Sequence, residues 1–261
     1  MLGRIRKGVG VLAVSSLAVC AMGGARDAVA AELKVLSGGA VKAALTELAE
    51  TWGRETGNRV TITYATTGAS LQKFAAGEPA DVVVLTTEAI DQLAAKGTVI
   101  AGTRADVARV GIGVAVRAGS PQPDISTPEA VKRTVLAAKS IAYMDPSKGG
   151  TSGIHFTRVL EEMGIAAAVK PKAVLVDTGF AAERVAKGEA ELVVHQISEI
   201  LPVTGVTLVG PLPRQIQKVT VYAAAVATKS EVQDAAKAFI AYLTAPAARP
   251  KFAAVGLDYR E

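Results

Sequence analysis

Short apolar runs alternate with amphipathic stretches along most of this chain. The run Leu33–Leu36 ends at Ser37, Gly38 and Gly39, and from Ala40 onward apolar residues recur at helical spacing. Val82–Leu85 is apolar without alternation, which is typical of a strand buried on both faces. Strands that alternate with helices predict parallel βαβ units with helices on both faces of a sheet.

The same pattern sets the limits of the predicted elements. Strands are predicted at 33–36, 60–65, 81–86, 109–116, 140–144, 172–176, 191–195, 206–209 and 218–227. Helices are predicted at 40–56, 69–76, 87–95, 127–138, 152–163, 180–187, 231–243 and 247–255.

Two of these strands, 109–116 and 218–227, are longer than the others. Because a long strand can leave one sheet and enter another, we interpret them as paired connections between two α/β lobes. The predicted first lobe comprises residues 31–113 and 223–261, and the second comprises residues 114–222. A cleft between two such lobes is a common place for a ligand.

Residues 1–30 have the organisation of a cleavable signal peptide. Arg4, Arg6 and Lys7 precede the apolar stretch 9–22, and the small-x-small sequence 28–30 follows. This predicts export to the periplasm. The alternative, a lipid anchor on Cys20, is less favoured because Val19 precedes the cysteine.

Composition argues against a nucleic-acid-binding protein. Aromatic residues make up 4% of the chain, too few for a base-stacking platform. The formal net charge is +5, but residues 1–30 carry four basic residues and one acidic one. The remainder is therefore close to neutral and has no balance suited to a polyanion.

Four polar segments follow predicted strands, so their side chains should meet at one cleft. They are 37–39, 66–70, 145–152 and 195–196. Hydroxyls and glycine N–H groups at helix starts suit an anion. The candidate ligand-binding residues are Ser37, Gly38, Gly39, Thr66, Thr67, Lys148, Thr151, Ser152, His195 and Gln196.

Structural roles are an alternative for several of these residues. Thr67, Ser70 and Ser152 are also good helix caps, and Lys148 could be a solvated loop charge. His155, in the first turn of a predicted helix, could simply pack. The chain has two histidines, and its one cysteine lies in the leader, so we expect no metal site and no cofactor.

Several segments together resemble the type II periplasmic solute-binding proteins of ABC transporters, and most closely the molybdate-binding family. They are 37–40, 66–70, 77–84, 188–194 and 239–246. The resemblance implies a two-lobed fold that captures a small anion, a membrane permease as partner, a monomeric state and no chemistry. Ser37, Thr66, Thr67, Thr151 and Ser152 match ligand-binding positions, and His195 occupies the place of a tyrosine.

Segments 107–126, 137–143 and 198–203 are similar to a subgroup of this family that includes aconitate isomerase. That resemblance implies an alternative function, a cofactor-free proton shift between trans- and cis-aconitate. His195 or His155 would then act as the base, since imidazole titrates near neutral pH, and Lys148 would hold a carboxylate. The sequence leaves both functions open.

Overall fold

The computed structural model describes residues 1–3 and 30–259, which contain two five-stranded sheets. The strands are β1 Glu32–Gly38, β2 Arg59–Ala65, β3 Val82–Thr86, β4 Ala105–Val110, β5 Ile112–Arg117, β6 Ile141–Met144, β7 Ala173–Val176, β8 Leu192–Gln196, β9 Val206–Pro211 and β10 Thr220–Val226. The α-helices are α1 Lys42–Thr56, α2 Thr67–Ala75, α3 Thr87–Ala95, α4 Pro128–Ala137, α5 Thr151–Glu162, α6 Ala166–Val169, α7 Ala182–Ala186, α8 Ile197–Ile200, α9 Gln233–Thr244 and α10 Arg249–Ala253.

In each sheet four strands run in one direction and one runs against them. The first sheet has the order β2-β1-β3-β10-β4, and β10 is antiparallel to both of its neighbours. The second has the order β7-β6-β8-β5-β9, in which β5 is the reversed strand. The predicted α/β fold with two mixed, mostly parallel sheets is confirmed.

The chain passes from the first sheet to the second within the predicted long strand 109–116. This segment divides at Gly111, so that β4 belongs to the first sheet and β5 to the second. The other predicted long strand, 218–227, was expected to connect the two sheets as well. This is wrong, because β10 lies entirely in the first sheet. The return path is an irregular segment between β9 and β10, where Pro213 has no N–H to donate to a strand.

Gln217 links the two segments of chain that cross between the sheets. Its side-chain amide makes two hydrogen bonds of 2.8 Å with Ile112, one to the backbone N–H and one to the carbonyl. Sheet membership thus changes between Val110 and Ile112 and again between Pro211 and Thr220. The lobe limits at 113/114 and 222/223 remain a prediction.

Each sheet packs its helices around a separate apolar core. Trp52 of α1 meets Phe239 of α9 in the first core, at 5.1 Å between ring centroids. Tyr143 of β6 meets Phe156 of α5 edge-on in the second, at 5.2 Å. Every residue of β3 is buried, as its unbroken apolar run predicts.

Threonine caps fix the start of three helices on the strand ends. Thr66, Thr86 and Thr127 each accept a hydrogen bond from the backbone N–H three residues later. Such caps are worth about 1 kcal/mol each. They place the first turns of α2, α3 and α4 directly after an extended residue.

The predicted signal peptide and the alternative anchor site Cys20 lie outside the described residues, apart from positions 1–3 and 30. Among the residues that are described, no helix combines the length and the apolar character needed to cross a bilayer.

Candidate functional site

A pocket lies between the two sheets, at the carboxyl ends of their central strands. Residues at the ends of β1, β2 and β10 form one wall, and residues from α5, α8 and the loop after β7 form the other. Its volume is about 160 Å³. One water needs roughly 10–15 Å³ by the same measure, so the pocket has room for a small polyatomic ligand.

Six of the residues predicted from the sequence line this pocket. They are Gly39, Thr66, Thr67, Thr151, Ser152 and Gln196. The structure therefore brings together segments that are up to 157 residues apart in the chain, from Gly39 to Gln196.

Five other predicted residues do not line the pocket: Ser37, Gly38, Lys148, His155 and His195. Ser37 is fully buried, and its hydroxyl donates to the carbonyl of Gly38 at 3.1 Å. Lys148 contributes its carbonyl oxygen, which accepts a hydrogen bond from the Thr66 hydroxyl, while its side chain is exposed. The prediction that its ammonium binds the ligand is not supported by this placement.

Tyr222 of β10 forms the floor of the pocket and joins the two lobes. Its hydroxyl lies 3.2 Å from the side-chain amide of Gln196 in the other sheet, and it also hydrogen-bonds with Thr67 and Thr151. Burial raises the pKa of Tyr222, and the carboxyl of Glu199 raises it further. The phenol therefore remains protonated and can donate one hydrogen bond, which in this structure goes to Oε1 of Gln196.

Glu199 of α8 places a nearly buried carboxyl on the pocket wall. It is 8% exposed, and its Oε2 lies 3.1 Å from Nδ1 of His195. Gly39 leaves space for it, since a Cβ at Gly39 would lie 2.9 Å from Glu199 Oε1. The sequence predicted Gly39 as a ligand contact, and the structure adds the close approach of the Glu199 carboxyl to this glycine.

His195 lies behind Glu199 and is fully shielded from solvent and pocket. Its Nδ1 also accepts a hydrogen bond of 2.9 Å from the backbone N–H of Gln196. Nε2 is buried and has no hydrogen-bond partner within the described part of the chain. Nδ1 of His195 is thus close both to the backbone N–H of Gln196 and to the carboxyl of Glu199.

Lys42, the first residue of α1, supplies the pocket with a cation. Its Nζ lies 5.7 Å from the ring centroid of Tyr64 and 5.8 Å from that of Phe180, which belong to opposite walls. Burial raises the pKa of Tyr64 to about 12, although the hydrogen bond between Tyr64 and Thr46 acts weakly in the opposite direction. Both rings are thus neutral faces for the ammonium.

The start of α5 presents uncapped backbone donors. The residue before the helix is Gly150, no side chain caps it, and its first turn contains no acidic residue. Ser152 is therefore not a cap, and Thr67 is not one either, because Thr66 caps α2. The positive end of α5, with the hydroxyls of Thr151 and Ser152, is suited to a carboxylate or another oxyanion.

The two lobes touch directly at the edge of the pocket. The backbone N–H of Gly68 donates to the carbonyl of Gly149 at 3.2 Å. A Cβ on Gly68 would lie 2.7 Å from the Cα of Gly149, so the contact requires glycine at this position. The structure is therefore that of a closed cleft.

His155 faces away from the pocket and binds the return path between the sheets. Its Nε2–H donates to the carbonyl of Ile216 at 2.8 Å, and Nδ1 accepts from Arg158 at 3.2 Å. Burial lowers the pKa of His155, and the cations Arg158 and Lys218 act in the same direction. The placement of His155 differs from the prediction that it has a catalytic or ligand-binding role, because the packing of α5 directs its ring toward Ile216.

This environment of His155 predicts a pH-dependent stability. The unfolded chain binds a proton as pH falls through about 6.5, whereas the folded state resists it, so stability is present at higher pH and lost on acidification. We expect His155→Gln, which can still donate to Ile216, to lose less thermal stability than the native protein between about pH 7.5 and about pH 5.5. Melting curves at both pH values test this; equal losses in the two proteins would contradict it.

Sequence reasoning missed three residues that matter to the pocket: Lys42, Glu199 and Tyr222. The only available signals were their positions in the chain. Lys42 lies three residues after Gly39, Glu199 lies four residues after His195, and Tyr222 lies inside a predicted long strand. In the described residues no three His, Cys, Asp or Glu side chains are grouped so that they could hold a metal ion. The chemistry available is that of one cation, two carboxyls, hydroxyls and helix N-termini.

Comparison with known proteins places this architecture in a family. The profile described as "Bacterial extracellular solute-binding protein" matches residues 33–258. An aconitate isomerase from a Pseudomonas species is 37% identical over 217 residues, which cover 81% of each chain.

Solved structures share the fold at low sequence identity. The periplasmic molybdate-binding protein of Azotobacter vinelandii has a TM-score of 0.74 and 20% identity, covering 88% of this chain and all of that one. A sulfate-binding protein of Mycobacterium tuberculosis has a TM-score of 0.68 and 16% identity, covering 87% and 86% of the two chains. With a profile match over most of its length and this curated relative, the chain belongs to the family of bacterial extracellular solute-binding proteins.

Proposed function

We propose that this protein is an exported isomerase that moves a proton between two carbons of a small unsaturated carboxylate, with aconitate as its substrate. The observation that carries the proposal is the Glu199 carboxyl, which lies on the pocket wall in contact with His195. The similarity to an aconitate isomerase over four fifths of both chains supports it.

The reaction needs a base, donors for carboxylates and nothing else. In trans-aconitate the methylene group lies between a carboxylate and the double bond, which makes its protons removable. Glu199 would take one of them, and the C–H electron pair would form the new double bond. The former double-bond pair would accept the proton at the distal carbon, so that the base is restored and no oxidant or reductant is involved.

Charge that builds up on the substrate carboxylates during this transfer needs stabilisation. The N-terminal end of α5 with Thr151 and Ser152 offers donors that no protein side chain caps. Tyr222 and Gln196 add hydroxyl and amide donors at the floor. Such prearranged donors are worth the most where charge develops. His195 would act as a positioning residue that holds the Glu199 carboxyl at the pocket wall.

Two observations give a tetrahedral oxyanion less support as the ligand. Ser37, the first expected oxyanion contact, is turned into the backbone. Likeness to the molybdate-binding structure at 20% identity supports the fold alone.

A second candidate is capture of a small carboxylate for an ABC permease, without turnover. The direct contact between Gly68 and Gly149 favours it, because a cleft that closes around its contents suits a carrier. The protein would then act in the periplasm as a monomer that delivers its ligand to the membrane partner.

Conversion of substrate distinguishes the two candidates. Purified protein without residues 1–30 is incubated with trans-aconitate, and the isomers are separated by chromatography. We expect cis-aconitate to accumulate up to equilibrium. Tricarballylate, the saturated analogue, at a hundredfold its Kd should raise the melting temperature by about 5–10 °C. A melting shift without conversion at high protein concentration would support the carrier, and a shift with molybdate alone would contradict both carboxylate assignments.

A further inference from the structure

We propose that Lys42 binds one carboxylate of the ligand and makes the pocket prefer tricarboxylates over dicarboxylates. The inference rests on the proposed function for the class of ligand, but it concerns binding and does not require turnover.

Lys42 is the one Lys, Arg or His among the residues that line the pocket. Of the two pocket-lining carboxyls, Glu199 contacts His195, and Glu183 lies 3.6 Å from Lys187. Within residues 30–259 the structure gives the Lys42 ammonium no ion pair and no hydrogen bond, only contacts with the two aromatic rings. Its charge is therefore not neutralised by the protein.

Lys42 is exposed and lies near the N-terminal end of its helix, directly after the 3-10 turn Gly39–Val41. The helix dipole does not stabilise a cation at this end. Unlike an exposed lysine elsewhere on the surface, Lys42 lines the pocket and lies near two rings from opposite walls. A negatively charged ligand in the pocket would be its partner.

The two rings fix where that charge is. Tyr64 belongs to β2 and Phe180 to the loop before α7, so Nζ is held between side chains of opposite lobes. An ammonium over an aromatic face is stabilised by the ring quadrupole and keeps its hydrogen-bond donors free. In the closed cleft these donors are available at the pocket, on the α1 side and distinct from the α5 start.

Three separate groups thus suit carboxylates: the start of α5, the donors of Tyr222 and Gln196, and Lys42. A tricarboxylate can engage all three, whereas a dicarboxylate with the same carbon backbone leaves one without a partner. Lys42 is exposed, so a dicarboxylate that does not reach it loses nothing, whereas the third carboxylate of a tricarboxylate gains a charge-assisted contact with it. Lys42 would therefore determine the preference.

Binding of two saturated probes tests this directly. Tricarballylate and glutarate have the same five-carbon backbone, and glutarate lacks the central carboxylate. Calorimetric titration should show that the native protein binds tricarballylate at least about tenfold more tightly, as expected for one charge-assisted contact. Lys42→Met should weaken tricarballylate by about 10- to 100-fold and change glutarate by less than about threefold. Lys42→Arg should retain most of the preference.

A matched control removes a lysine far from the pocket. Lys96, the exposed residue that follows α3 as its C-cap, does not line the pocket. Lys96→Met therefore changes the net charge without touching the pocket and should leave both affinities unchanged. Melting temperatures without ligand verify that each variant is folded. An unaltered preference in Lys42→Met, or an equal loss for both probes, would overturn the inference.

The outcome is separable from that of the proposed function. If the native protein isomerises aconitate and Lys42→Met keeps its preference for tricarballylate, the role of Lys42 is wrong and the isomerase remains. If the preference depends on Lys42 but no isomer forms, the binding role stands and the isomerase is wrong. A native protein that binds neither probe would contradict both.

Discussion

Glu199→Gln is expected to lower kcat for the interconversion of trans- and cis-aconitate by about 10²–10⁴-fold, the range that a positioned general base contributes. Glutamine has nearly the same shape and lies on the same wall, but it cannot accept a proton from carbon. Removal of a negative charge from a pocket for anions should leave the Kd of tricarballylate unchanged or lower it. The pair of measurements, kcat and Kd, separates loss of the base from loss of the pocket.

Glu183→Gln is the matched control, because Glu183 is the other carboxyl on the pocket wall. It is exposed, and Oε2 lies 3.6 Å from Nζ of Lys187, one helical turn away. Exposed pairs of this kind contribute little, so we expect kcat within about threefold of the native value. The base assignment is contradicted if Glu199→Gln retains kcat within about tenfold, or if both variants lose activity equally.

Gly153→Ala is expected to destabilise the protein by on the order of 3 kcal/mol, at the upper end of overpacking effects. Gly153 lies in α5, and a Cβ there would approach the carbonyl oxygen of Met144 to 1.9 Å. Helix propensity alone predicts the opposite sign, since alanine is favoured over glycine by about 1 kcal/mol in a helix. The backbone clash is far larger, because α5 must move away from β6. Thermal melting should show a fall of roughly 6–12 °C.

Gly102→Ala tests whether any exchange of glycine for alanine has this effect. Gly102 is exposed in a short 3-10 turn, and no heavy atom lies within 4 Å of the position that a Cβ would take there. We expect a change within about 0.5 kcal/mol.

Thr151 and Ser152 begin the same helix as Gly153. The fraction of Gly153→Ala that still folds should therefore also bind tricarballylate more weakly than the native protein. An increase in melting temperature for Gly153→Ala would show that α5 packs differently against β6.

The sequence predicted the architecture well because the fold depends on patterns that are local. Unbroken apolar runs mark the buried strand β3, and threonines before apolar periodicity mark the starts of α3 and α4. The division of 109–116 at Gly111 was not predictable, since both halves are extended and only their partners differ. Which sheet a strand joins is decided by contacts across the chain.

The site was predictable only where backbone geometry decides it. Gly39, Thr67 and Thr151 lie at strand ends and helix starts, and these line the pocket. His195 lies near the end of β8, as expected, but alternation along the strand turns its side chain away from the pocket. Glu199, four residues later in α8, lies on the pocket wall in its place. Whether side chains such as Lys42 and Glu199 face the pocket depends on how α1 and α8 are oriented about their axes. The spacing of residues in the sequence does not determine that orientation.

The most direct test of the central claim is proton NMR of trans-aconitate in D₂O with the native protein and Glu199→Gln. If a protein base transfers the proton, the native protein will convert the trans isomer to the cis isomer. A base that exchanges with solvent during the transfer will also replace substrate hydrogen by deuterium at the methylene and vinyl carbons. Glu199→Gln should show neither change on the same timescale. Persistence of fully protonated trans-aconitate with equimolar native protein, while tricarballylate still binds, would contradict the account and leave a carrier of small carboxylates.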